Sequence, residues 1–116
     1  MAYGTIKFAN GGEINLLANA ATKYRFRQIF GLDLMDEMEN ATSGRALEIF
    51  EMLTYTMMLQ ANKEAEKGSI DGFFAWLESM ESAEITDHVD TILAIYQGNQ
   101  KTTSTIKNQD GPPSER

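Results

Sequence analysis

The stretch RALEIFEMLTYTMMLQANKEAEK, residues 45–67, decides the fold. Ala46, Ile49, Phe50, Leu53, Met57 and Ala61 recur at steps of three and four with neither proline nor glycine between them, so the spacing predicts one long helix from about Arg45 to Lys67, stopped by Gly68. Leu47, Met52, Met58 and Leu59 widen its apolar surface beyond a single stripe, which makes it the expected spine of the domain, with contacts on two sides.

Other elements are read outward from this spine. Upstream, Asn40–Gly44 is a turn in which Thr42 or Ser43 can cap the long helix. Before it, Asp33–Asn40 reads as a short helix grouping Leu34, Met35 and Met38 and leaving Asp36, Glu37 and Glu39 to solvent. Asn19–Phe30 reads as another, with Thr22, Phe26, Ile29 and Phe30 at helical spacing, Lys23 and Arg27 sharing a face, and Gly31 as the stop. At the start, Thr5–Phe8 and Glu13–Leu16 flank Asn10-Gly11-Gly12, the signal of a β-hairpin; Ile6, Phe8, Ile14 and Leu16 then need helices or another chain to cover them.

Downstream, Ser69 can cap a fourth helix in which Ile70, Phe73, Phe74, Leu77 and Met80 form one face and Trp76 points aside. Thr86 can cap a fifth, with Val89, Ile92, Leu93 and Tyr96 in register and Gly98 as its end. Beyond Gly98 the only sizeable apolar side chain is Ile106, too little burial to offset the entropy of ordering. The expected fold is therefore mainly α: a domain over 1–97 of about five helices with an N-terminal hairpin, followed by a disordered tail over 98–116. No repeat of fixed period is present.

Composition narrows the function. The chain has 116 residues and 42% hydrophobic content, one domain with a modest core. Its net charge of −7 repels a phosphate backbone, which argues against nucleic acid as a partner. No apolar run approaches the ~18 residues of a membrane span, and the N-terminus lacks the basic start and apolar stretch of a signal peptide, so a membrane is not an expected partner either. Charge is also segregated: residues 1–30 carry +3, residues 31–97 carry −11 and residues 98–116 carry +1. That pattern suggests docking within the chain, or head-to-tail self-association in which Lys23 and Arg27 meet Asp36, Glu37 or Glu39 of a neighbour.

Catalytic chemistry finds no foothold. Without cysteine there is no disulfide, thiolate metal site or thiol nucleophile. The one histidine, His88, falls between Asp87 and Asp90 in the first turn of a helix, where a solvated position is expected and no serine or lysine is tied to it by motif. Glu84, Asp87, His88 and Asp90 lack the alternating oxygens and central glycine of a calcium loop. Glu78, Glu81 and Glu84, like Asp33, Asp36, Glu37 and Glu39, read as solvated faces. Asn10-Gly11-Gly12 lacks the lysine and hydroxyl of a phosphate loop. No catalytic, metal or cofactor residue is assigned, and the chain is not expected to be an enzyme. What stands out is apolar: Met57, Met58, Leu59, Phe73 and Trp76 exceed what one core face holds, so some of them are expected to contact a partner, with thioethers suited to an adaptable groove.

The order of features is specific. The hairpin, the helix ending Phe26-Arg27-Gln28-Ile29-Phe30-Gly31, the acidic turn Leu32-Asp33-Leu34-Met35-Asp36-Glu37-Met38, the long helix with Ala46-Leu47-Glu48-Ile49-Phe50, the aromatic Phe73-Phe74-Ala75-Trp76-Leu77 and the ending Ile95-Tyr96-Gln97-Gly98-Asn99-Gln100-Lys101-Thr102-Thr103 follow one another. Over residues 3–107 this order resembles the short tail assembly chaperones of long-tailed bacteriophages that infect Gram-positive bacteria. The resemblance implies a protein that coats the long helical tape measure protein and is displaced as tail tube subunits polymerise. It implies residence in the host cytoplasm and absence from the mature virion. It also implies a longer product of the same gene made by ribosomal frameshifting, for which Ile106-Lys107-Asn108 fits a minus-one slippery heptamer if isoleucine uses ATA. The alternative from another class is an acidic inhibitor that mimics nucleic acid, resting on the −11 of residues 31–97; against it, the carboxylates alternate with apolar faces as in ordinary amphipathic helices.

Overall fold

Around the long helix the chain wraps a hairpin on one side and shorter helices on the other. The computed structural model describes residues 1–9, 11–81 and 83–104, with side chains described through Gly98. In order, β1 (Ala2–Lys7) and β2 (Glu13–Ala18) are followed by α1 (Thr22–Phe30), α2 (Leu34–Asn40), α3 (Ser43–Ala61), α4 (Ile70–Glu78), α5 (Ala83–Thr86) and α6 (Val89–Ser104), with a 3-10 turn at Ala65–Lys67. The chain is mainly helical with an N-terminal hairpin, as its periodicity predicts. Among the described residues no helix is long and apolar enough to cross a membrane.

The strands pair antiparallel from Ala2↔Ala18 to Lys7↔Glu13, longer than the alternating runs alone indicate. Their loop is closed by Phe8 N–H to Gly12 O (2.7 Å) and Gly11 N–H to Phe8 O (3.0 Å), with Gly11 at φ 92°. A left-handed glycine at this place makes the bulged form of hairpin rather than the two-residue turn that Asn-Gly usually signals. Ile6, Leu16 and Ala18 face inward and are buried against α3 and α6. Gly4 lets α6 come close, because a Cβ there would overlap the Ile95 side chain.

α3 is buried from Met52 to Met57 without interruption, so it has neighbours on every side: β2, α1, α2, α5 and α6. Two polar residues in this run satisfy themselves. Thr54 Oγ1 donates to Phe50 O (2.6 Å) and Thr56 Oγ1 to Met52 O (2.9 Å), so neither hydroxyl is left unpaired in the core. A buried network joins the start of α1 to the end of α3: Thr22 Oγ1 donates to Gln60 Oε1 (2.7 Å) and Gln60 Nε2 to Asn19 Oδ1 (3.0 Å). Asn19 also forms the Asx turn that leads into α1, accepting Ala21 N–H at 2.9 Å while its own N–H donates to Thr22 Oγ1 at 3.0 Å. The helix expected from Asn19 therefore begins at Thr22, with Asn19 in the turn that leads into it.

α3 stops at Ala61, six residues before the expected end at Lys67. The apolar face runs out at Leu59, and the backbone closes in a Schellman motif: Lys63 N–H donates to Gln60 O (3.2 Å) and Glu64 N–H to Leu59 O (2.8 Å), with Lys63 left-handed at φ 60°. The chain then doubles back so that Gly68 lies against Ile29 and Leu59, a position where a Cβ would sit 2.6 Å from Ile29 Cδ1. For Lys63→Gly, relief of about 1–2 kcal/mol of left-handed strain is partly offset by about 0.5–1 kcal/mol of extra unfolded-state entropy. Urea unfolding is expected to show a gain of about 0.5 kcal/mol in this variant.

Two other boundaries move. Thr86 ends the short α5 rather than capping the next helix, and α6 passes through Gly98 to Ser104. Gly98 rests beside Ala2 of β1 while Ile92, Ile95 and Tyr96 are buried, so packing on the hairpin outweighs the roughly 1 kcal/mol that a glycine costs within a helix. The boundary expected at 97/98 is thus internal to a helix. The rest of the expected tail, with Ile106-Lys107-Asn108, lies outside the described residues.

Candidate functional site

α4 is held to the domain through rings. Phe73 lies 5.0 Å from Phe30 and 5.5 Å from Tyr55, centroid to centroid, and Trp76 lies 5.6 Å from Tyr55. Ser69 fixes the start of the helix, its Oγ accepting Gly72 N–H at 2.9 Å. Large aromatic side chains keep α4 at a distance from α3, and a groove of about 360 Å³ runs between the two helices. Met52 of α3 and Phe73 of α4, each 7% exposed, lie deepest among its lining residues. Phe74 and Leu77 form the α4 wall; Arg45, Glu48 and Glu51 line the α3 side. Phe74 is 54% exposed and Ile70, one turn before it, 44%, two of the few large apolar side chains left in solvent.

The charges of this groove are unevenly satisfied. Arg45 Nη2 and Nε donate to Glu37 Oε1 at 2.9 and 3.1 Å, tying α2 to α3, and Arg45 Nη1 donates to Glu48 Oε1 at 2.6 Å one turn along α3. Glu51 has no hydrogen bond or ion pair among the described residues. Burial pushes its carboxyl above the ordinary range, and the neighbouring Glu48 charge adds to the shift. The sign follows: a folded-state pKa above the unfolded one means that the ionised carboxylate costs stability at neutral pH, a cost relieved as pH falls through the raised value. Glu51→Gln is therefore expected to be more stable than the parent at pH 7, with the advantage shrinking as pH falls through the raised value and gone below the ordinary carboxylate range; urea midpoints at pH 7 and below that range check it.

The residues singled out from sequence separate into surface and interior. Met57 is fully buried and Leu59 is 8% exposed, so these two are core; Phe73, 7% exposed, belongs to the core as well and reaches the surface only as the floor of the groove. Met57 belongs to the stretch of α3 that is enclosed on all sides, and Leu59 is covered by the returning chain at Gly68. Met58 and Trp76 are half-buried. On α4 the exposed large apolar positions are Phe74 and Ile70, which the helical spacing groups on one face with Phe73, Leu77 and Met80. A clue was present: Phe73 and Trp76, beside Phe74 and Leu77, carry more apolar bulk than one narrow helix face buries.

For self-association, Lys23 and Arg27 are exposed and flank the Tyr24 ring, 5.4 and 5.5 Å from its centroid. Asp36 and Glu39 are exposed on α2, and no ion pair joins them to Lys23 or Arg27 among the described residues. Glu37 differs, being engaged by Arg45 within the chain.

The acidic region around His88 is less solvated than its composition indicates. His88 lies in the turn between α5 and α6, half-buried, with Nδ1 2.8 Å from Glu84 O and its ring edge-on to Phe8 at 6.5 Å. Glu84 is only 9% exposed and accepts Ala9 N–H at 3.4 Å, while Glu78 ends α4, so the three spaced glutamates do not share one helix. Both His88 and Glu84 tie the hairpin loop to α5. Among the described residues no group of three or more histidines and carboxylates is placed to hold a metal ion. Comparison with protein families, curated proteins and solved structures finds no match to this chain.

Proposed function

We propose that the chain is a tail assembly chaperone that holds helical segments of a phage tape measure protein in the groove between α3 and α4. The observation that carries this reading is Phe74, more than half exposed on the wall of a groove floored by Met52 and Phe73, with Ile70 exposed one turn before it on α4. An amphipathic client helix laid there would cover aromatic surface that otherwise meets water. The acidic exterior supports the same reading, since net charge keeps a protein with an apolar contact face from associating with itself. On this reading the chain acts in the host cytoplasm, gives up its client as tube subunits polymerise, and is absent from the virion. A longer frameshift product of the same gene would carry the same groove.

Co-expression tests it. The partner is the very long helical protein expected from the neighbouring gene. The tape measure protein is expected to move from the pellet to the soluble fraction when this chain is present, and the complex to survive raised salt because the contact is apolar. A tape measure protein that stays insoluble would overturn the proposal. Binding lost steeply with salt would favour the nucleic-acid mimic instead.

A further inference from the structure

The geometry points to a charge preference in this groove: it selects helices that carry a lysine or arginine one turn from their apolar anchors, and the Glu51 carboxylate is the residue that reads that charge. The inference rests on the groove being a client-helix site and adds what the client must contain.

Among the described residues Arg45 is the only cation lining the groove, and it is already committed to Glu37 and Glu48. Two carboxylates, Glu48 and Glu51, face the same space, and Glu51 has no partner of its own among the described residues. An apolar helix docking on Phe73, Phe74 and Leu77 would take Glu51 further from water. A neutral client leaves that carboxylate desolvated and unpaired; an acidic one adds repulsion from both glutamates. A lysine or arginine whose stem lies along the apolar wall and whose head reaches the rim offsets both costs. The raised pKa of Glu51 agrees with a site that lacks a cation. Arg45 cannot supply one without abandoning the bridge between α2 and α3.

The test uses the full chain and three fluorescein-labelled helical peptides of alanine and leucine, each about 18 residues long so that they form helix on binding. They differ only at the position four residues from the central leucine anchor, which is lysine, norleucine or glutamate. Lysine is expected to bind about threefold to fivefold tighter than norleucine at low salt, the size of a partly exposed ion pair, and glutamate weakest. The lysine advantage is expected to vanish in Glu51→Gln and to persist in Glu78→Gln, whose carboxylate is exposed at the end of α4. An advantage unchanged in Glu51→Gln, or norleucine equal to lysine in the parent, would overturn charge selection while leaving the groove as an apolar site. If none of the three peptides binds, both the charge preference and the client-helix reading fall.

Discussion

Met57→Ala is expected to lower the unfolding free energy by about 2–5 kcal/mol, the range for emptying a fully enclosed methionine site. Met57 is 0% exposed on the segment of α3 that has neighbours on every side, so little can move in to fill the space. A loss of that size is a large part of the roughly 5–15 kcal/mol that holds a small domain together. Met57→Leu keeps the volume nearly constant and should cost less than about 1.5 kcal/mol, with client binding intact. Urea unfolding with an unchanged slope would identify the effect as stability alone. A loss below about 1 kcal/mol in Met57→Ala would mean that the site is not enclosed.

Phe74→Ala is expected to do the reverse. The ring is more than half exposed, so its removal should change stability by less than about 1 kcal/mol. If it anchors a client helix, binding should weaken by about 2 kcal/mol or more, roughly thirtyfold. Fluorescence titration with the lysine peptide measures the binding and urea unfolding the fold. Equal affinity of parent and variant would remove Phe74 from the contact. Met57 and Phe74 thus form a matched pair, one sustaining the domain and the other the contact.

What the sequence discloses and what it hides follow from the range of the interactions involved. The hairpin, the five longer helices and their apolar faces are legible because they rest on spacing and on local cues such as Ser69 and Gly31, whose N–H donates to Arg27 O at 2.8 Å. The end of α3 is harder to read, since Lys63 takes a left-handed conformation that its side chain does not favour and that the surrounding hydrogen bonds impose. Passage of α6 through Gly98 depends on tertiary contact with β1, which no local rule contains. For the groove, the surplus of apolar residues on the long and aromatic helices is visible in composition. Which of them face outward is decided by Phe30 and Tyr55 packing edge-on against Phe73, a contact between residues far apart in sequence. Glu51 leaves a clue as a carboxylate between Phe50 and Met52, but its isolation becomes apparent only once Arg45 is seen to be engaged elsewhere.

The most direct measurement is photocrosslinking in phage-producing cells with a benzophenone amino acid in place of Phe74, compared with the same substitution at Tyr3 on the opposite, solvent-facing side of the hairpin. Tyr3 is 68% exposed and so at least as accessible as Phe74. The account predicts a covalent product containing the tape measure protein from position 74, present before tail tubes form and depleted as they assemble, with little or none from position 3. Equal yields from the two positions, or products from position 74 that contain no tape measure protein, would contradict it.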